Sequence, residues 1–322
     1  MVQTSRDFAS LHEAYRERRG VVLKVIYDYP MVSGSAADML DPGAIDVVAA
    51  RAEACGFFGL GFTDHPVPGA RWLQAGGHQA LDPFVALAFA AAATTELRLL
   101  THLAVAPYRN PFILAKSAAS VDKLSRGRLT LGLGTGYHKA EFFALGVDWE
   151  QRNALFDEAL AVLPLHWSGK PFSFEGINFS VRDGIGLPRP VQDPIPVWIG
   201  GNSKRSLHRV AQHAQGWMPL IGSEQLTTTS RTPHIASLEQ LAEMISTVRG
   251  AAAKTGRDDK IDILYSYNDR ATLTSQPDAG RHRAAFDHLG KMGVTHINIS
   301  SGTLSADSTL EFMESFAQLY LC

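Results

Sequence analysis

Residues 131–142 read LGLGTGYHKAEF: an apolar strand pattern, a turn built on glycines, then a helical pattern. Two readings of this stretch lead to different folds. A dinucleotide-binding βαβ unit needs the spacing GxGxxG, in which the third glycine lets helix and strand pack closely. Counted from Gly132, that third position is Tyr137, so the fingerprint fails. What remains is a strand-to-helix turn whose glycines either bring backbone amides close to a ligand or simply allow a tight turn.

Working outward, the same alternation recurs along the chain. Strand patterns lie at Val21–Tyr27, Phe58–Phe62, Leu97–Val105, Leu129–Leu133, Val197–Ile199, Trp217–Leu220, Ile261–Tyr267 and His296–Ile299. Most are apolar on both faces, as strands buried between a core and covering helices must be. Helical patterns separate them. Asp41-Pro42, Asp82-Pro83 and Asn110-Pro111 each set a capping side chain before a proline suited to the first helical position. Gly56 and Gly216 stand where helices can end, and Ser237 to Gln240 is a capping-box pattern. Eight strands alternating with helices predict a parallel α/β fold, and the count favours a (β/α)₈ TIM barrel with insertions over an open sheet. An α/β barrel takes about 250 residues, so residues 21–322 are expected to form one domain behind a polar extension at 1–20. Two connections are long. Residues 168–196 contain an alternating, hairpin-like run, and the polar stretch 220–237 follows a strand, on the face where a mobile lid would sit.

Composition narrows the function classes. A hydrophobic share of 45% with 19% charged residues suits a protein with a substantial core, and a net charge of −2 gives no basic footprint for nucleic acid. Cys55 and Cys322 make no disulfide framework. The opening residues lack a signal-peptide pattern and no apolar run spans a bilayer, so a cytoplasmic protein without membrane or nucleic-acid partners is expected. HExxH, CxxC and GxSxG are all absent, which leaves metal-hydrolase and serine-hydrolase readings without candidates.

In a barrel, chemistry gathers at the C-terminal ends of the strands. Those ends carry Tyr27 and Asp28, Asp64 and His65, His102, the run Gly134–Glu141, and the run Gly200–Arg205. In IGGNSKRSLHR the glycines expose amides, Asn202 or Ser203 can cap a helix, and Lys204 and Arg205 fall in its first turn. Cations there oppose the helix dipole unless an anion occupies the site, so a phosphate-bearing ligand fits. His65 can act as acid or base, or hydrogen-bond a ring, and the plainer alternative is a turn capped by Asp64 with His65 packed beside Pro66.

Four segments taken in order, TDHP at 63–66, PYRNPFILAKSAASVDKLSRGRLTLGLGTGY at 107–137, EFFALGVDWEQR at 141–152 and PVWIGGNSKRSLHRVAQHAQGW at 196–217, resemble luciferase-like oxidoreductases, especially the coenzyme F420-dependent branch. The resemblance covers about residues 21–320. It implies a barrel, usually dimeric, with the cofactor ring at the strand ends. Gly134, Thr135 and Gly136, with Gly200, Gly201, Asn202 and Ser203, would hold phosphate and ribityl chain. It implies a bulge with a cis peptide at His102–Leu103, followed by Ala104, behind the ring. It implies that Asp64 and His65 lie beside the deazaflavin, with His65 exchanging a proton during hydride transfer at C5. Tyr27, Asp28, Tyr137, His138 and Glu141 become candidates for substrate contact or proton relay. Tyr137 stands where sugar-phosphate-oxidising relatives place a carboxylate, which argues against that substrate. No metal is implied. FMN is the alternative cofactor, in a monooxygenase supplied by a separate reductase. The alternative of another class is a cofactor-binding barrel without catalysis.

Overall fold

Short runs such as Leu129–Gly134, buried at every position, can form a strand only where both faces are covered. The computed structural model, which describes residues 23–33, 38–257, 261–269, 278–302 and 305–321, covers them by closing the sheet. The expected 1–20 extension and Cys322 lie outside the described residues. The strands are β1 Lys24–Asp28, β2 Gly59–Phe62, β3 Arg98–Thr101, β4 Leu129–Gly134, β5 Val197–Gly200, β6 Gly216–Met218, β7 Asp262–Ser266 and β8 His296–Ile299. Each pairs in parallel with the next, and β8 returns to β1, so the barrel has no edge. Helices Ile45–Ala54, Pro83–Ala93, Pro111–Leu124, Arg152–Trp167, Lys204–His213, Leu238–Lys254, Ala279–Lys291 and Ala306–Tyr320 each follow one strand and wrap the outside. This is the (β/α)₈ barrel expected from the sequence.

Strand alternation divides the barrel interior into layers. The middle layer is apolar: Ile26, Leu100, Trp198, Met218 and Leu264 form one buried cluster. Below it, Arg98 donates to Thr130 at 2.8 Å, and His296 packs on Trp198 with ring centroids 4.8 Å apart. Above it, at the C-terminal mouth, stand Asp28, His102 and Asn298. After β3 the chain bulges through a cis His102–Leu103 peptide, at the position implied by the resemblance, and rejoins β4 with Ala104–Val105.

Caps and boundaries follow local chemistry with some corrections. Asp82 accepts from the Phe84 and Val85 N–H groups and Asn110 from Phe112, as their proline contexts predict. Asp41 caps no helix: residues 39–42 make a turn closed by the Gly43 N–H on Leu40, and the helix starts at Ile45 with Ala44 before it. Gly216 stops no helix either. The chain leaves the helix extended at Ala214, and Gly216 opens β6, where Trp198 occupies the space a Cβ would need. Ser237 receives the Gln240 N–H, while the Gln240 side chain accepts from Ala236, one residue short of a reciprocal box. The 168–196 stretch contains the hairpin Pro171–Glu175 with Ser180–Ile185. The 220–237 stretch contains a helix at Glu224–Thr229, so it is more ordered in form than its composition suggests.

Candidate active site

The longest insertion at the mouth follows β2. Between Phe62 and Pro83 the chain makes a short helix, Ala70–Gln74, and a two-residue strand, His78–Gln79, that pairs with Val32–Ser33. Asp64 and His65 open this insertion and are buried. Asp64 is an anchor. Its Oδ2 accepts from the Val105 N–H at 2.9 Å and from Arg109, which also reaches Oδ1 at 3.1 Å and Asp82 at 2.8 Å. Burial opposes the charge on Arg109, yet the bonds to Asp64 outweigh it and hold the guanidinium firmly protonated. Both Asp64 oxygens thus bond protein groups, and the residue positions the loop after β3.

His65 sits in an aromatic cage. Trp72 and His78 lie with ring centroids 4.9 and 4.8 Å away, and Tyr137 and His138 at 6.0 and 6.4 Å. Its Nδ1 is 3.1 Å from Glu141 Oε2, and its Nε2 is 3.5 Å from the Tyr137 hydroxyl. Glu141, on helix Lys139–Ala144, is wholly buried and also accepts from Tyr108 at 3.0 Å and the Val67 N–H at 3.2 Å. Burial opposes its ionisation, but the bonds from His65, Val67 and Tyr108 prevail and hold it below the usual carboxylate range. Around this anion, burial lowers His78 to about 4 and lowers His138 as well, so both rings are neutral near pH 7. Burial, then Glu141, pushes Tyr137 up to about 12.

The expected substrate residues therefore separate. Tyr137 and His138 line the cage, and among the described residues the buried His138 Nδ1 has no partner. Glu141 stands behind His65 with no surface of its own, so it orients the ring instead of touching substrate. Tyr27 is turned outward by the alternation of β1, packs on Phe57 and Phe312 among the helices, and hydrogen-bonds Ser301. Its phenol is held protonated by burial and does not face the mouth. Asp28 does face the mouth, with His102.

The glycine turns also need revision. A Cβ on Gly134 would lie 2.2 Å from Leu103 Cδ1, and one on Gly200 2.3 Å from Leu103 Cδ2. Those glycines make room for Leu103, which the bulge delivers to the middle of the mouth. Thr135 is held by Arg209 at 3.2 Å, and Gly136, at φ +80°, turns against Val105 and Phe142. Asn202 spends its side chain on Leu220 and Pro233, pinning the loop after β6. Ser203 is the helix cap, accepting from the Ser206 N–H. Gly201, at φ +101°, completes the turn. Trp72, His78, Tyr108, Arg109 and Asn298 escaped the sequence reading. The unusual length of the β2 insertion was the one available signal for the first two.

A closed barrel whose mouth joins caged histidines to a glycine turn at a helix start has the form of a small-molecule site. Residues 31–287 match the luciferase-like monooxygenase family, and the chain belongs to it. Members of this family are F420- or flavin-dependent oxidoreductases and monooxygenases. The chain is 29% identical over 273 residues to an F420-dependent glucose-6-phosphate dehydrogenase of Beutenbergia cavernae, covering 81% of this chain and 73% of that one. Its fold resembles a monooxygenase from Streptomyces bottropensis (TM-score 0.71, 22% identity, 92% and 98% of the two chains). It also resembles an F420-dependent secondary alcohol dehydrogenase in complex with an F420–acetone adduct (TM-score 0.68, 17% identity, 92% and 98%).

Proposed function

We propose that this barrel uses coenzyme F420 to move a hydride between the deazaflavin C5 and a small organic substrate. The observation that carries the reading is the Glu141–His65–Tyr137 arrangement at the mouth, where a buried carboxylate fixes one ring nitrogen and leaves the other for proton exchange. Ionised Glu141 accepts the Nδ1–H of His65, so Nε2 is the nitrogen that takes or returns a proton, directly or through Tyr137. The cofactor fits this mouth on two counts. The ten-residue helix Lys204–His213 starts at the mouth, where its first N–H groups can meet an anion although those of Gly201 and Asn202 already bond Met218 and Thr232, and among the described residues His138 Nδ1, Asp28 Oδ1 and Asn298 Oδ1 have no partner. The bound deazaflavin supplies hydride chemistry; the protein binds it, excludes water and handles the proton. Trp72, Tyr137 and the neutral rings of His78 and His138 give the cage no cation for a phosphate, so an uncharged substrate suits it better than a sugar phosphate. The active form is proposed to be a cytoplasmic homodimer.

The family's monooxygenase description supports a second reading, in which FMN reduced by a separate enzyme activates oxygen in the same mouth. Fluorescence titration with F420 and, separately, FMN decides between them. Preference for F420 supports the proposal, preference for FMN transfers the site to oxygen chemistry, and binding of neither overturns both. Turnover that survives His65→Ala with little change would remove His65 from the mechanism while leaving the cofactor assignment intact.

A further inference from the structure

The histidine assigned to proton exchange is closed off from ligands. The His65 side chain is 6% exposed, with Trp72 and His78 packed on it at centroid distances of 4.9 and 4.8 Å. Its Nδ1 is taken by Glu141, and among the described residues its Nε2 meets one polar group, the Tyr137 hydroxyl at 3.5 Å. Tyr137 stands in the turn after β4, at the mouth, and is only half-buried. The imidazole therefore communicates with the mouth through a phenol.

Two tyrosines border the same pair, and they differ in what they offer. Tyr108 is buried and donates to Glu141 at 3.0 Å, so its proton is committed. Tyr137 has only the long contact to Nε2, at the outer limit of a hydrogen bond, which leaves its O–H able to turn to a ligand. Acid–base contacts are often long in an unliganded protein and tighten around substrate. Burial, and then Glu141, keep the phenol protonated, so it meets a ligand as a donor. The other rings on His65 do not supply this function. Trp72 carries no acid–base group, and burial keeps His78 and His138 neutral near pH 7.

We propose that Tyr137 is the catalytic acid–base residue, whose hydroxyl touches an oxygen of the substrate, and that His65, held by Glu141, is a positioning residue that acts only through that hydroxyl. The use of this contact in turnover rests on the hydride-transfer reading; the contact itself does not. For a carbonyl substrate the balance is one hydride and one proton. The carbon gains the hydride that a reduced deazaflavin supplies, and the oxygen takes the Tyr137 proton as negative charge gathers on it. The phenolate left behind is refilled from His65 Nε2, and once product has left, the phenol recharges the ring from water. Oxidation of the related alcohol runs the same steps backward. An alkoxide oxygen is a far stronger base than a phenolate, so even a weakly acidic phenol gives up its proton at this step.

The test needs no turnover. The protein is labelled with ¹³C at tyrosine Cζ and histidine Cε1, and cyclohexanone is added as the probe at pH 7, alone and with oxidised F420 or FMN, while the signals are followed by NMR. Tyr137 is assigned by the loss of its signal in Tyr137→Phe, and His65 by the loss of its signal in His65→Gln. The Tyr137 signal is expected to move saturably, with the His65 signal following at the same midpoint. In Tyr137→Phe the ketone affinity should fall about three- to ten-fold, the loss of one neutral hydrogen bond, and the His65 signal should no longer follow the ketone. A merely structural tyrosine would not produce that uncoupling. A Tyr137 signal that never moves overturns the proposal. So does a His65 signal that follows the ketone undiminished in Tyr137→Phe, since the ring would then be reached directly. A Tyr137 response in a protein that binds neither F420 nor FMN would uphold the contact and sink the hydride-transfer reading. Cofactor binding with a Tyr137 signal that stays still would do the opposite.

Discussion

At the scale of single residues, Glu141 has the largest expected consequences, although nothing outside the protein reaches it. It is wholly buried and receives His65, Tyr108 and the Val67 N–H. Glu141→Gln keeps the shape, removes the charge and can present its amide N–H to a ring nitrogen that needs an acceptor. The His65 ring then loses the carboxylate that orients it, and turnover is expected to fall about 10²–10⁴-fold with a smaller change in KM, the range for a mispositioned acid–base group. Steady-state kinetics check this, and a fall confined to KM would contradict it. The same substitution has a pH signature. A carboxyl held below its unfolded value stabilises the fold above the ordinary carboxylate range, and that contribution is lost as pH falls through the folded value. Glu141→Gln should therefore be less stable by about 1–3 kcal/mol at pH 7, with a flatter acid limb when Tm is followed from pH 7 to about pH 3. The sequence named Asp64, His65 and Glu141 but could not rank their roles. Nothing in TDHP says that Arg109, forty-five positions on, consumes both oxygens of Asp64.

At the scale of elements, the β3 bulge and the two glycine-bearing strands beside it form one packing unit. Leu103 enters the mouth and lies against Gly134 at the end of β4 and Gly200 at the end of β5. Gly200→Ala forces a methyl onto Leu103, an overpacking expected to cost about 1–3 kcal/mol. Leu103→Ala removes packing and is expected to cost about 2 kcal/mol, less than a fully enclosed leucine because the residue is only partly buried. The double variant should cost less than the sum by about 1 kcal/mol, because the alanine methyl then occupies space that Leu103 has vacated. Denaturant unfolding of the three variants measures the coupling, and strict additivity would show that these glycines answer to something other than Leu103. Here the sequence was legible in outline only. Eight apolar runs are visible because a strand buried on both faces admits little else. A glycine, by contrast, records that space is needed without recording what fills it, so Gly134 and Gly200 read as phosphate-facing when a leucine stands over them. Asp41 shows the same limit at a helix start, since a capping residue before proline also suits the turn that the chain makes there.

At the scale of the whole molecule, the mouth is assembled from strands far apart in sequence, so ligand binding should be felt by the entire barrel. Asp28, His65, His102, Gly201 and Asn298 come from five different strand ends, and a ligand spanning them ties β1, β2, β3, β5 and β8 together. Closure in a ring leaves no strand able to unfold without breaking its neighbours on both sides. A ligand that binds only the folded barrel stabilises it by mass action, about 2.7 kcal/mol when present at a hundred times its Kd. Taking roughly 2–4 °C per kcal/mol, the value for slightly smaller domains, that corresponds to a Tm shift of at most about 5–11 °C. The cofactor that fits should produce this shift in one cooperative transition, and the one that does not should leave Tm unchanged at equal concentration. Ser203→Pro separates the phosphate cradle from the rest, since it removes the cap of helix Lys204–His213 and one N–H at the turn while leaving the histidine pairs alone. Its own Tm should drop by a few degrees, and the shift on adding F420 or FMN should shrink. If the shift were undiminished in that variant, the anion would sit elsewhere on the mouth, and the turn after β5 would be a helix start with no ligand of its own.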